Sequence, residues 1–348
     1  MMTLPAVQLH ALANSLGLAA ALHAAVRLGV ADVLGDAPLD AKELAVLVDA
    51  DPDALHRLLR ALAAHGVFER HGDRCYGHNG LSRPLRRDQP GSRADMVALA
   101  GAPWAWQVWP RLDEAVRTGK AVFPDVFGTD LFGYLSTVDP VGGALFDRAM
   151  SAGSDLTGRA VADTLAMAGV RRFADIGGGQ GALVRQLLDT HGDVDAVLFD
   201  LPKVVAQPVP ELTAGGRLAD RCYIVSGDCR RAVPVSADLY LLKHVLHMWD
   251  DAEAVAVLRA VAVGADAGAR VVVVEQLLDR AAHVGIAALL DLLMLLNLGG
   301  RERTEDEFAA LFAEAGLEYV GSTPTSTPVC LIEARVPRVS RSARAALP

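Results

Sequence analysis

The chain predicts an α/β protein with a Rossmann-like, mostly parallel sheet in its second half, preceded by a mainly helical, winged-helix-like domain. From Arg171 onward short β-rich runs alternate with helical segments: Arg172 to Ile176, Ala196 to Phe199, Tyr223 to Val225, Asp238 to Leu242 and Arg270 to Val274. That alternation marks parallel strands joined by crossover helices. Leu317 to Val320 and Val329 to Glu333 lie close together across a Ser/Thr/Pro-rich loop and predict a terminal antiparallel pair, giving seven strands. The glycine-rich stretch Asp175-Ile-Gly177-Gly-Gly179-Gln-Gly181 sits between the first strand and a helix carrying Leu183, Leu187 and Leu188, where free helix N–H groups meet a ligand.

The N-terminal part reads as an Ala/Leu-rich helix across Leu9 to Leu34, a helix begun by Asp40, and another restarted by Asp51-Pro52-Asp53. Leu55, Leu58, Leu59 and Leu62 fall at helical spacing before Gly66. Val67 to Tyr76 then predicts two short strands around a turn at His71-Gly72-Asp73, which completes a helix-turn-helix with a wing. Trp104 to Ser154 is helical and rich in aromatics, among them Trp104, Trp106, Trp109, Phe132 and Phe146, whose rings could wall a flat ligand.

Composition narrows the possible functions. With 52% hydrophobic and 22% charged residues in 348, the chain lies far from the disordered regime and is long enough for about two cores. A net charge of -9 lacks the basic footprint that phosphate contacts demand, so the winged module is expected to pack or dimerise and not to bind nucleic acid. Cys75, Cys222, Cys229 and Cys330 are scattered without a CxxC pair, which supports neither a zinc site nor a disulfide framework and fits a cytoplasmic setting. Leu16 to Leu34, the most membrane-like stretch, is interrupted by His23, Arg27 and Asp32 and is expected to be a buried amphipathic helix; no membrane association is expected.

Gly177, Gly179 and Ala182 also satisfy a dinucleotide fingerprint, so neighbouring carboxylates must decide the ligand. Asp200 ends the second strand, where a carboxylate holds a ribose diol in either case. Gly227-Asp228 follows the third strand, where a carboxylate suits an adenine amine. Asp175 would repel a pyrophosphate but suits the cationic aminopropyl arm of S-adenosylmethionine.

Leu242-Lys243-His244-Val-Leu-His247-Met-Trp249-Asp250-Asp251 closely resembles the motif after the fourth strand of the plant caffeate/flavonoid and bacterial natural-product O-methyltransferases. The resemblance extends to the helical N-terminal domain, the Gly-rich loop, Phe-Asp-Leu-Pro around Asp200, and Gly299-Gly-Arg-Glu302-Arg-Thr304. It implies a seven-stranded methyltransferase domain behind an N-terminal dimerisation domain. The implied reaction is metal-free methylation of a small aromatic hydroxyl by S-adenosyl-L-methionine, giving S-adenosyl-L-homocysteine. Carried over by position, His247 is the general base flanked by Glu275 and Glu302. Ser154, Asp175, Gly177, Gly179, Asp200, Asp228, Cys229, Lys243 and Trp249 fall to the cofactor, and Trp106, Phe146, Met150, His244, Met294 and Asn297 to the acceptor pocket. Cys229-Arg230 and His244 depart from residues common in the family.

The expected division is a helical winged-helix-like dimerisation domain over 1–95, a helical linker and substrate-pocket region over 96–160, the catalytic domain over 161–336 and a disordered tail over 337–348. Two other outcomes share the fold: an enzyme turned to rearrangement, hydroxylation or decarboxylation, and a winged-helix regulator that senses S-adenosylmethionine. The acidic balance and the retained His247 with both carboxylates argue against them.

Overall fold

The structure, a computed structural model, describes residues 4–280 and 284–338. Most of the tail expected to be disordered, 339–348, lies outside the described residues. The chain forms two compact units, one running to Trp109 and resuming from Phe132 to Gly153, the other made of Pro110–Leu131 and the chain from Ser154 on.

In the first unit a three-stranded antiparallel sheet has the order β1-β3-β2, with β1 Leu39–Asp40, β2 Glu69–His71 and β3 Cys75–Gly77. β2 and β3 are the two strands expected around Gly72, which has φ +67°. β1 is an addition, a strand of two residues that ends in the cap of the next helix. Asp40 caps the helix Ala41–Leu47 in a reciprocal box with Glu43, and Asp51 caps Pro52–Ala64 through the N–H groups of Asp53 and Ala54. Leu44, Leu55, Leu59, Leu62, Phe68 and Tyr76 form the core of this unit.

The single helix expected across Leu9 to Leu34 is broken into Leu4–Ala13, Ser15–Arg27 and Val30–Val33. The first break falls at Asn14, whose side-chain amide donates to the His10 carbonyl at 2.8 Å; the second falls at Gly29, left-handed with φ +70°. Nor is Leu16 to Leu34 buried throughout: Leu16 is 61% and Leu28 40% exposed, and burial begins only at His23, Ala25 and Val26, while the helix Leu4–Ala13 before it buries no residue. Among the described residues no single helix is long and apolar enough to cross a membrane; the first two reach that length only jointly and are bent by 44°.

The second unit is built on a seven-stranded sheet of order β6-β5-β4-β7-β8-β10-β9. Its strands are β4 Arg172–Ile176, β5 Asp195–Asp200, β6 Cys222–Ser226, β7 Leu239–Lys243, β8 Arg270–Gln276, β9 Glu318–Pro324 and β10 Val329–Arg335. β4 to β8 pair in parallel, while β10 runs antiparallel to both β8 and β9. Val271 to Val274 show why central strands read as unbroken apolar runs: all four are fully buried because both faces of the sheet are covered. The strand order reverses between β4 and β7, so the ends of those strands open a crevice where α/β sheets bind ligands.

The start of β7 is fixed by Tyr240, whose buried hydroxyl donates to the Val235 carbonyl at 2.8 Å and accepts from the Ala237 N–H at 3.2 Å. Tyr240→Phe orphans both backbone groups and is expected to cost about 1–3 kcal/mol in chemical denaturation. An unchanged midpoint would mean that water replaces the hydroxyl.

Candidate active site

The loop after β4 is shaped by its glycines. At Gly177 (φ +70°) a Cβ would stand 2.7 Å from Val245, and at Gly181 (φ +89°), which precedes the helix Ala182–Thr190, it would stand 2.5 Å from Leu212. Above Gly179 the space is open, with no atom within 4 Å of a Cβ built there. Asp200, at the end of β5, holds this loop: one carboxylate oxygen accepts from the Gly179 N–H at 2.8 Å, the other from the Leu201 N–H at 2.6 Å. Burial raises the pKa of Asp200 against those two donors.

Asp175 lies beneath the loop, 1% exposed, and neither of its oxygens has a hydrogen-bond partner among the described residues. Burial pushes its carboxyl up to about 7, with Lys243 opposing and Asp200 adding to the rise. Lys243, at the end of β7, donates from Nζ to Ser154 Oγ at 2.9 Å, and burial lowers its pKa against the pull of Asp175 and Glu275. Asp228 follows β6 but is forked by Arg230, with contacts of 3.1 and 3.0 Å that hold its carboxyl below the usual range. The Arg230 guanidinium also lies 5.9 Å from the Trp249 ring centre. Thus Asp228, Arg230 and Trp249 form one group, and Arg230 is a partner that the sequence left without a role. Cys229 is half-buried, and burial pushes its thiol up to about 12, so it is not a thiolate.

Beyond β7 the chain turns through His244, whose φ is +55°, into a single 3-10 turn at Leu246–Met248. His247 Nδ1 lies 2.7 Å from Glu302 Oε1 and 3.5 Å from Glu275 Oε2. Glu275, with no exposed surface, accepts the N–H groups of Val245 (3.0 Å) and His247 (3.4 Å) and lies 3.2 Å from His244 Nδ1. Burial alone would lower the pKa of His247, but the charges of Glu275 and Glu302 outweigh it and hold the imidazole above its ordinary 6.5. Burial lowers His244 instead. Met294 and Asn297, on the helix Val284–Leu298, are buried in the same unit, with the Asn297 amide donating to Leu293 at 3.0 Å. Trp106, Phe146 and Met150 belong to the first unit, where the Phe132 and Phe146 rings meet edge to face.

One residue with a large part in this geometry carries no role in the sequence-based expectations. Arg303 has no exposed surface; it donates to the carbonyls of Leu246 at 3.0 Å and Trp249 at 2.9 Å, on either side of His247, and pairs with Asp251 at 2.8 Å. Arg301 donates its backbone N–H to the His247 carbonyl at 2.9 Å, and Gly300 is packed so closely that a Cβ would stand 2.1 Å from that carbonyl. The Gly-Gly-Arg-Glu-Arg-Thr stretch therefore forms the backing of the His247 turn, besides supplying Glu302. Thr304 and Glu307 close it with a capping box.

Residues 109–318 match the O-methyltransferase domain family, and residues 11–88 match the O-methyltransferase dimerisation domain. The chain belongs to the O-methyltransferase family. The mitomycin biosynthesis 6-O-methyltransferase of Streptomyces lavendulae is 40% identical over 91% of this chain and 90% of its own length. The O-demethylpuromycin-O-methyltransferase of Streptomyces alboniger is 37% identical over 90% and 84%. Among solved structures, a methyltransferase in calicheamicin biosynthesis, in its S-adenosylhomocysteine-bound form, superposes with a TM-score of 0.87 at 31% identity, covering 97% of this chain and 100% of that one.

This O-methyltransferase uses S-adenosylmethionine, and its residues fit that ligand by their own chemistry. Asp175 is a buried carboxyl group without a hydrogen-bond partner among the described residues, which a bound cation would ionise, and the open space over Gly179 admits a ligand against bare backbone.

Because the folded state holds a proton on Asp175 that the unfolded chain releases, the ligand-free enzyme should lose stability as pH rises from about 4 to 7, by up to a few kcal/mol. Asp175→Asn is expected to flatten that slope in melting temperatures taken across this range. A slope that survives the substitution would place the titration elsewhere.

Proposed function

We propose that the enzyme methylates a phenolic hydroxyl of a small aromatic natural product, with His247 as the general base. The observation that carries this reading is the buried His247–Glu302 contact of 2.7 Å, with Glu275 behind it. Glu302 holds Nδ1, which leaves Nε2 as the nitrogen free to take a proton from the acceptor. Asp175 is assigned to the ammonium end of S-adenosylmethionine with Ser154 and Lys243 beside it, Asp200 with Gly177 and Gly179 to the ribose, and Asp228, Cys229 and Trp249 to the adenine. His244, Met294, Asn297, Trp106, Phe146 and Met150 are assigned to the acceptor. When bound, the sulfonium supplies an electrophilic methyl group.

The chain's own task is to orient the hydroxyl and remove its proton. An ordinary phenol at pKa ~10 and an imidazole at ~6.5 differ by about 3.5 units, or roughly 5 kcal/mol, so complete proton transfer before attack is uphill. The two buried carboxylates narrow that gap by stabilising the imidazolium as it forms. The intact His–Glu pairing favours methyl transfer over rearrangement or decarboxylation.

The N-terminal helices are assigned to a homodimer. Leu4, Leu9, Leu12 and Leu16 are exposed within the chain, and a second copy would cover them. Light scattering at micromolar concentration should therefore return twice the 36.7 kDa chain mass; the chain mass itself would defeat the assignment.

His247→Gln should lower turnover by about 10²–10⁴ while cofactor affinity, read by calorimetry, stays within a few-fold of wild type. The wild-type rate should rise with pH through a limb placed above 6.5, because the base must be neutral and its pKa is raised. Glu302→Gln removes one of the supporting charges and should shift that limb downward. A limb that does not move would sever Glu302 from the base.

A further inference from the structure

His244 and His247 stand on one turn with their rings stacked, centroids 5.4 Å apart. Glu275 Oε2 reaches both, at 3.2 Å from His244 Nδ1 and 3.5 Å from His247 Nδ1, and one donor atom from each of the three residues lies within 4.8 Å of the others. In a tetrahedral zinc site with bonds of about 2.0–2.1 Å, neighbouring donors stand roughly 3.3 Å apart. Two of the three edges already have that length. The third, between the two imidazoles, is at most 4.8 Å, and shortening it to the length of the other two needs only a turn of His244, the most exposed of the three side chains at 27%.

Charge favours a cation here as well. Glu275 and Glu302 are two buried carboxylates, and Glu302 Oε2 has no hydrogen-bond partner among the described residues. Lys243 opposes a second cation, but its Nζ is directed to Ser154. Two imidazoles and a carboxylate form a donor set suited to first-row transition ions, zinc among them.

We propose that His244, His247 and Glu275 form a binding site for a divalent transition-metal ion, and that an ion bound there switches the enzyme off. Binding releases any proton held on either Nδ1 to solvent, and each ring ligates through that nitrogen while its remaining proton stays on Nε2. His247 in this state has lost its bond to Glu302 and has no lone pair on Nε2, so it cannot accept the proton of an acceptor hydroxyl. The ion is an inhibitor that competes with a proton, not a participant in transfer. Inhibition rests on His247 being the base; binding of the ion does not.

The test uses full-length protein stripped by a chelator, titrated with zinc chloride against a competing zinc dye and assayed with labelled S-adenosylmethionine on a panel of phenols. About one ion per chain should bind at micromolar or lower concentration, with activity lost over the same range and restored by EDTA. His244→Gly, which suits a left-handed backbone, and Glu275→Gln should each weaken zinc binding at least about tenfold. Calorimetry with S-adenosylhomocysteine reports that both variants remain folded. No uptake at about 100 μM zinc, or uptake indifferent to both substitutions, overturns the site. Uptake that leaves turnover intact overturns the switch. Failure of the methyltransferase assignment is seen separately, as absence of turnover in the metal-free protein.

Discussion

Glu275 is a carboxylate without exposed surface at the C-terminal end of β8, and the turn that follows β7 is folded around it. It accepts two backbone N–H groups from that turn and faces both of its imidazoles. Hydrogen bonds to a charged acceptor contribute about 1.5–3 kcal/mol each, and the donors would be orphaned without it. The register of β7 on β8 brings Lys243 opposite Val274, so the next residue of β8 arrives beside the turn with no freedom to drift. From the other side Arg303 binds the carbonyls that flank His247. Anion on the N–H groups and cation on the C=O groups together fix the turn at both polarities.

This arrangement divides the work of the two glutamates. Glu275 is spread over the backbone and both rings, so its charge is shared; Glu302 makes one short contact with His247 Nδ1. The backbone N–H of Glu302 donates to Asp291 on the helix Val284–Leu298, which also carries Met294 and Asn297. The orientation of His247 through Glu302 and two of the residues assigned to the acceptor, Met294 and Asn297, thus share one helix as support.

The parallel sheet was legible because its inner strands bury apolar runs bounded by turn residues, and the predicted runs fall within a residue or two of the observed ends of β4 to β8; the edge strand β6, with Tyr223 51% and Ile224 39% exposed, was legible from its aromatic and β-branched residues and not from burial. The Asp40 and Asp51 caps were legible because a short acidic side chain before a helix has one favourable use. What the pattern could not carry was interaction across distance. A guanidinium such as Arg303 reads as a surface residue until the carbonyls that enclose it are placed, and the pairing of Arg230 with Asp228 depends on side-chain directions that spacing does not encode. The break at Asn14 was hidden because a run of Ala and Leu gives the same hydrophobic signal whether it forms one helix or two. The roles of the individual site residues came from the resemblance; the geometry adds which of them touch.

His244 holds a left-handed backbone although it carries a Cβ, a conformation that costs a non-glycine residue about 1–2 kcal/mol. Its N–H donates to the Val274 carbonyl at 3.1 Å, so the backbone at this position is anchored independently of the ring. Exchange of the side chain therefore removes the 3.2 Å ring contact with Glu275 while leaving this backbone anchor in place, and glycine or asparagine there would relieve strain as it did so. Position 244 thus takes its backbone from the sheet and its ring from the choice of residue, so that an exchange of the side chain is answered by one carboxylate contact and not by the path of the chain.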